Sequence, residues 1–216
     1  MVEEGAAKDL AEKVGKGEIT SDEARRELRK RGLGHEETWK DAIWYIVWSI
    51  LCFLPAIAKG SRIEVLGFLA QLPTMEFPAI AIQLSIALLI AAIPLMVWFT
   101  YFNFKKGGCR SEDHTVVLLK SGPYGIVRHP GCLAGTVFFV TIPIILSGVI
   151  PFTILSAIAT VGIIVVHYYA CMEEERKLNI PKWGDEYRQY MKEVPRLNFI
   201  LGIWRWARRK RVDVNG

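Results

Sequence analysis

The stretch GCLAGTVFFVTIPIILSGVIPFTILSAIATVGIIVVHYYACM, Gly131 to Met172, carries no aspartate, glutamate, lysine or arginine, and its reading decides the fold. Roughly 20 helical residues cross a hydrocarbon core about 30 Å thick, so the run is twice too long for one crossing. Its centre, Gly148, Val149, Ile150 and Pro151, is poor in helix formers and predicts a break, which makes the run a helical hairpin. Two further apolar windows precede it. The expected spans are about 41–58, 77–104, 131–147 and 151–172, with Pro94 a kink site in the second. The fold class is therefore an all-α integral membrane bundle of four transmembrane helices.

Composition agrees with that reading. Of the 216 residues 51% are apolar, and the formal net charge is +5. An even number of spans puts both termini on one side. Lys105, Lys106, Arg110, Lys120 and Arg128 fill the loop after the second span, Arg205, Arg208, Arg209, Lys210 and Arg211 crowd the tail, and Ser147 to Phe152 is uncharged. The positive-inside rule then places the termini and the 105–130 loop in the cytoplasm. Only Lys59 and Arg62 charge the loop after the first span. The first thirty residues are charged rather than apolar, so no cleavable signal peptide is expected and the first span directs insertion.

The basic excess suits anionic lipid headgroups and not nucleic acid. Cys52, Cys109, Cys132 and Cys171 have no Cys-x-x-Cys spacing, and neither a metal site nor a disulfide framework is expected.

Three segments emerge: 1–38, a soluble cytoplasmic helical appendage; 39–172, the transmembrane helices; and 173–216, a cytoplasmic segment with a basic interfacial tail. The first reads as two short helices around Gly15-Lys-Gly17, the second opening on a capping box at Thr20-Ser-Asp-Glu23. Its charge pattern reads as a solvated juxtamembrane helix pair. Val65 to Met75 is apolar but too short to span, and Pro73 and Pro78 close it, so an interfacial or re-entrant segment on the outer side is expected. Trp39, Trp44, Tyr45, Trp48, Trp204 and Trp206 fall where aromatic belt anchors belong. The tail, Phe199 to Arg211, interleaves apolar and basic residues as an in-plane membrane helix does.

Charged and polar groups bracket the long apolar run. Before it stands Gly122-Pro-Tyr-Gly-Ile-Val-Arg-His-Pro130; after it come Glu173-Glu-Glu175, Trp183-Gly-Asp-Glu-Tyr187, Tyr190 and Val194-Pro-Arg196. Arg128 can hold a carboxylate through two charge-assisted hydrogen bonds. Glu174 or Glu175 can accept from hydroxyls or an ammonium, Tyr124 or Tyr187 can stack on a base or face a cation, and His129 can donate or titrate. His167 lies at membrane depth, where ionisable groups usually face a cavity or are satisfied by packing.

This ordered set, from about Thr115 to Arg196, resembles the membrane methyltransferase superfamily, which includes isoprenylcysteine carboxyl methyltransferases and phospholipid N-methyltransferases. The N-terminal helices faintly resemble short helical oligomerisation modules, which implies a homo-oligomer through that segment. The superfamily resemblance implies an S-adenosylmethionine site formed by loop 105–130 and the C-terminal segment. It would use Gly122, Tyr124, Arg128, His129, Pro130, Glu174, Glu175, Tyr187 and Arg196, with Arg128, His129, Glu174 and His167 as catalytic candidates. Cys132 stands where family members usually have a Tyr, and His167, Tyr168 and Tyr169 stand where the carboxyl methyltransferases have an Arg.

Methyl transfer from a sulfonium chiefly needs a positioned nucleophile. A carboxylate or thiolate acceptor needs no base, whereas an ammonium would need His129, His167 or a glutamate as general base. The acceptor is expected to be lipophilic or lipidated, entering between spans. The alternatives are a phospholipid N-methyltransferase, an NADPH-dependent membrane reductase of the sterol-reductase type, and a non-catalytic cofactor-binding scaffold.

Overall fold

The computed structural model describes residues 5, 7–34, 39–61, 64–106 and 115–215. Arg62, Cys109 and Arg110 lie outside the described residues, as does the side chain of Trp39. The chain is all-α: among the described residues there is no strand, only an isolated bridge between Thr74 and Thr153.

In chain order the helices are α1 (Lys8–Gly15), α2 (Ser21–Lys30), α3 (Trp39–Gly60), α4 (Gly67–Ala70), α5 (Ala79–Lys106), α6 (Pro130–Ile145), α7 (Ile154–Glu174), α8 (Ile180–Trp183), α9 (Asp185–Glu193) and α10 (Phe199–Asn215). Candidate spans fall at Ala42–Gly60, Ala79–Lys105, Pro130–Gly148 and Ile154–Trp183. Helix α5 continues through Pro94 and α3 through Pro55. The expected hairpin break is present: a 3₁₀ turn at Leu146–Gly148 ends α6, and α7 starts only at Ile154.

The spans are apolar all round. Ile80, Leu84, Ile90, Ile93 and Val97 of α5 and Ile158, Val161 and Val165 of α7 are exposed. Each such side chain gives up about 1.5–3 kcal/mol by facing water instead of an apolar medium. Only a hydrocarbon solvent makes that surface stable, and the four helices fit a membrane protein.

The chain divides into two compact units, each assembled from separated stretches. One unit comprises Thr38–Pro94 and Ala134–Tyr169. Its core is Trp48, Cys52, Ala159 and Ile163, with Phe53 and Phe139 packed against them. Trp48, expected as a belt anchor, is buried here, with its ring edge-on to Phe139 at 4.8 Å. The Val65 to Met75 segment is a 3₁₀ turn at Glu64–Leu66, the single turn α4 and an extended piece held by Met75 N–H donating to the Phe152 carbonyl. Val65 and Phe68 in it are exposed.

The other unit comprises Met1–Glu37, Leu95–Leu133 and Ala170–Gly216. The capping box at Thr20 forms as its pattern predicts: Thr20 Oγ1 accepts from Glu23 N–H and Glu23 accepts from Thr20 N–H. The N-terminal helices are nevertheless not a solvated appendage. Leu10, Ala24, Leu28 and Leu33 share one buried cluster with Val116, Trp183, Tyr187, Tyr190 and Val194. Backbone bonds from Gly5 N–H to the Pro181 carbonyl and from Ala7 N–H to the Lys182 carbonyl fasten them there. An apolar stripe on a charged helix shows that one face is buried; it does not show against what.

Candidate functional site

The site lies wholly within the second unit, beginning with a strained turn. Gly122 has φ +61°, a conformation L side chains rarely adopt, and it opens the 3₁₀ turn Gly122–Gly125. A Cβ there would meet the Phe102 ring at 2.5 Å. The turn sends the chain to Arg128 and His129, and Pro130 starts α6 with the fixed φ that suits a first helical residue.

Val194, Pro195 and Arg196 receive this loop. Pro195 and Arg196 carbonyls accept from the backbone N–H groups of Arg128 and His129 at 3.0 and 3.3 Å. Arg128 Nη1 donates to the carbonyls of Met191 at 2.8 Å and Val194 at 2.6 Å. Arg196 reaches the same centre with its side chain, donating from Nε and Nη2 to Glu175 Oε2 at 3.1 and 2.7 Å.

Glu175 is the hub. Only 2% exposed, it also accepts from Arg128 Nε at 2.8 Å and bonds His129 Nε2 at 3.0 Å, both through Oε1. Its lone pairs are spent inside the protein, and it does not line the cavity beside it. Glu175 and Arg196, expected to contact a ligand, stand in this buried cluster and are not among the residues that line the cavity. Arg128 is also mostly committed: Nε and Nη1 are engaged, and among the described residues only Nη2 has no partner. A two-pronged grip on a ligand carboxylate is therefore reduced to contact from Nη2.

Glu174 faces the cavity and its side chain is 30% exposed. It accepts from Asn179 Nδ2 at 3.1 Å and lies 3.4 Å from His129 Nδ1. Glu173 points elsewhere, paired with Lys177. Successive helical residues point about 100° apart, so the three glutamates diverge, and a π turn at Glu175–Asn179 then sets Asn179 beside Glu174. In an α-helix, at 100° per residue, Glu174 and Asn179 would stand about 140° apart; the i to i+5 relation of a π turn brings them together.

His129 is buried between the two carboxylates. Burial, the largest single influence, opposes its charge, yet Glu174 and Glu175 outweigh it and lift the imidazole pKa to about 9. Charged in this way, the imidazole can donate from Nδ1 towards Glu174 and from Nε2 to Glu175. Burial pushes the Tyr187 and Tyr190 phenols up, keeping them neutral donors.

The cavity holds about 240 Å³. Tyr124, Arg128, His129, Pro130, Glu174 and Tyr187 line it, so six of the residues expected from sequence converge. Gly122, Glu175 and Arg196 support it from behind. His167 is not part of it and belongs to the other unit, where Thr136 Oγ1 lies 2.8 Å from Nδ1 and Tyr45 Oη 3.3 Å from Nε2. Its polar atoms are satisfied by packing neighbours.

Sequence reasoning missed Asn179 and the apolar wall of Phe99, Leu118 and Leu119, and it named Trp183, Tyr190 and Cys132 without assigning them to the site. Asn179 Nδ2 also bonds the Tyr187 hydroxyl at 3.1 Å, and Trp183 stacks on Tyr187 at 5.9 Å. The available signal was Pro181, which lies inside a helical run and marks an irregular turn just before it. Trp183 Nε1 is buried with no hydrogen-bond partner among the described residues. Among the described residues no group of three His, Cys, Asp or Glu is placed to hold a metal ion. No family model, curated protein or solved structure matches the chain.

Proposed function

We propose that the protein is an S-adenosylmethionine-dependent membrane methyltransferase acting on a lipophilic or lipidated acceptor, with both termini and the cavity on the cytoplasmic side. The observation that carries this reading is the cavity itself. It sets the cation Arg128 and the carboxylate Glu174 against aromatic faces from Tyr124, Trp183, Tyr187 and Tyr190.

The lining fits the cofactor's mixed chemistry. Arg128 Nη2 is a donor for a carboxylate, and Glu174 is an acceptor for ribose hydroxyls or an ammonium. The aromatic faces suit adenine and sulfonium. When bound, the cofactor supplies an electrophilic methyl group that an acceptor lone pair displaces in line. Phe99, Leu118, Leu119 and Cys132 offer an apolar surface to an acyl or prenyl chain.

The chain's own residues narrow the acceptor. His129 is protonated at neutral pH and Tyr187 and Tyr190 are neutral, which leaves Glu174 as the lining's basic group. An acceptor already nucleophilic at pH 7, a carboxylate or thiolate, asks least of this lining. Rate then comes from positioning and exclusion of water.

Calorimetric titration of the detergent-solubilised protein with S-adenosylhomocysteine tests the reading, with NADPH in a parallel cell and Glu174→Gln as control. Binding weakened at least tenfold by the substitution is expected. Heat from NADPH alone would turn the assignment to a reductase, and silence from both ligands at millimolar concentration would end it.

A further inference from the structure

We propose that α10 binds an anionic bilayer surface and thereby holds the loop Gly122–His129 of the cavity in place. The inference deepens the methyltransferase reading and rests on it only for the ligand used in one arm of the test.

Helix α10 has two different faces. Gly202, Arg205, Trp206 and Arg209 lie on one. A Cβ on Gly202 would stand 2.1 Å from the Ile126 carbonyl oxygen, so the helix approaches the loop as closely as bare backbone allows. Arg209 Nη2 donates to the Gly125 carbonyl at 2.6 Å and Nη1 to the Glu193 carbonyl at 2.8 Å. Arg205 Nη1 donates to the Lys192 carbonyl at 3.1 Å. Gly125 and Ile126 are thus clamped three and two residues before Arg128, whose side chain lines the cavity.

The opposite face has no partner among the described residues and changes character along its length. Ile200 is 83% exposed and Trp204 54%, with Ile203 exposed beside them, and then come the exposed cations Arg208, Lys210 and Arg211. At 100° per residue, Ile200, Ile203, Trp204, Ala207 and Arg211 fall on one side. Arg208 sits over the Trp204 ring at 4.7 Å and Lys210 over Trp206 at 4.3 Å, which stations positive charge along the apolar border.

Between Phe199 and Arg211 there are five basic residues, Arg205, Arg208, Arg209, Lys210 and Arg211, and no acidic one. Water does not account for an isoleucine exposed to that degree, and a nucleic acid would meet the cations but gain nothing from Ile200 and Ile203. Acyl chains under anionic headgroups satisfy both halves of the face. A helix held at such a surface on one side and clamped to Gly125 and Ile126 on the other restrains the loop.

The test uses the full chain in nanodiscs of phosphatidylcholine alone and of phosphatidylcholine mixed with phosphatidylglycerol. Hydrogen exchange at the Ile126, Val127 and Arg128 amides is read first. Slower exchange in the anionic discs is expected, lost in the triple variant Arg208→Gln, Lys210→Gln, Arg211→Gln. S-adenosylhomocysteine should bind about fivefold more tightly in the anionic discs, the scale of ~1 kcal/mol per basic residue at such a surface.

Equal exchange in the two lipids overturns the proposal, as does an RNA homopolymer that slows exchange at these amides where anionic lipid does not. Lipid-dependent exchange with no S-adenosylhomocysteine binding in either disc supports the α10 contact while the methyltransferase reading falls. Ligand binding with lipid-independent exchange does the reverse.

Discussion

Arg128 and Glu175 are joined by a 2.8 Å hydrogen bond from Nε to Oε1, with side chains only 7% and 2% exposed. This bond ties the motif before α6 to the motif after α7. His129 and Arg196 complete the same cluster, so three cations surround one carboxylate with a second, Glu174, at its edge. A buried charge is tolerable only when paired and hydrogen-bonded, and here Glu175 is the one carboxylate that all three cations share.

Glu175→Gln should therefore destabilise the protein by about 3–5 kcal/mol, because it leaves two guanidiniums without their counter-charge and the imidazolium with Glu174 alone. Glu174→Gln leaves Arg128 and Arg196 paired with Glu175 and should cost less stability than Glu175→Gln, but weaken S-adenosylhomocysteine binding. Thermal unfolding in detergent beside ligand titration separates the two. Similar melting temperatures for both variants would contradict the division between anchor and lining.

His129 gives stability a pH dependence of definite sign. Its folded pKa, about 9, lies above the unfolded value of 6.5, so its contribution is fully present below pH 6.5 and is lost as pH rises through 9. The size is about 3 kcal/mol at most. Melting temperature should fall between pH 7 and pH 9.5, and His129→Gln should flatten that fall. An unchanged slope in the variant would show that the imidazole is not held charged.

Backbone approach makes two glycines irreplaceable for different reasons. Gly122→Ala places a side chain at φ +61° and should cost roughly 1–3 kcal/mol. Gly202→Ala pushes a methyl group into the Ile126 carbonyl and should displace α10, speeding exchange at Gly125 and Ile126 amides. Gly162→Ala, where a Cβ meets nothing within 4 Å, is the neutral comparison.

Truncating the N-terminal core should reach the cavity. Leu28 is buried in one cluster with Trp183, Tyr187 and Tyr190, which also line the cavity. Leu28→Ala is expected to cost about 2–5 kcal/mol and to weaken S-adenosylhomocysteine binding severalfold through the shifted aromatic wall. Full ligand affinity in a destabilised Leu28→Ala protein would make the N-terminal helices a support for folding alone.

Much of this architecture was legible in the chain itself. Bilayer thickness fixes helix length, so the apolar windows located three candidate spans to within a few residues and the start of the fourth, which runs on to Trp183, and the Gly148 to Pro151 break divided the hairpin. The Thr20 capping box depends on residues three apart and was equally local. The two polar motifs announced a site, and six of the residues they nominated line one cavity.

Tertiary structure decided which groups remain available there. Glu173, Glu174 and Glu175 are indistinguishable by type, and only the packing around the end of α7 decides which points outward, which to the cavity and which into the cluster. Sequence allotted Arg128 two prongs for a ligand and left His129 to donate or to titrate, but carbonyls and carboxylates distant in the chain occupy most of the first and favour the protonated form of the second. Helical stripes said that α1 and α2 bury a face, and folding alone chose Trp183, Tyr187 and Tyr190 as what they cover. Local pattern fixes length, period and caps because these depend on near neighbours; hydrogen-bond occupancy and protonation depend on groups brought together only by packing.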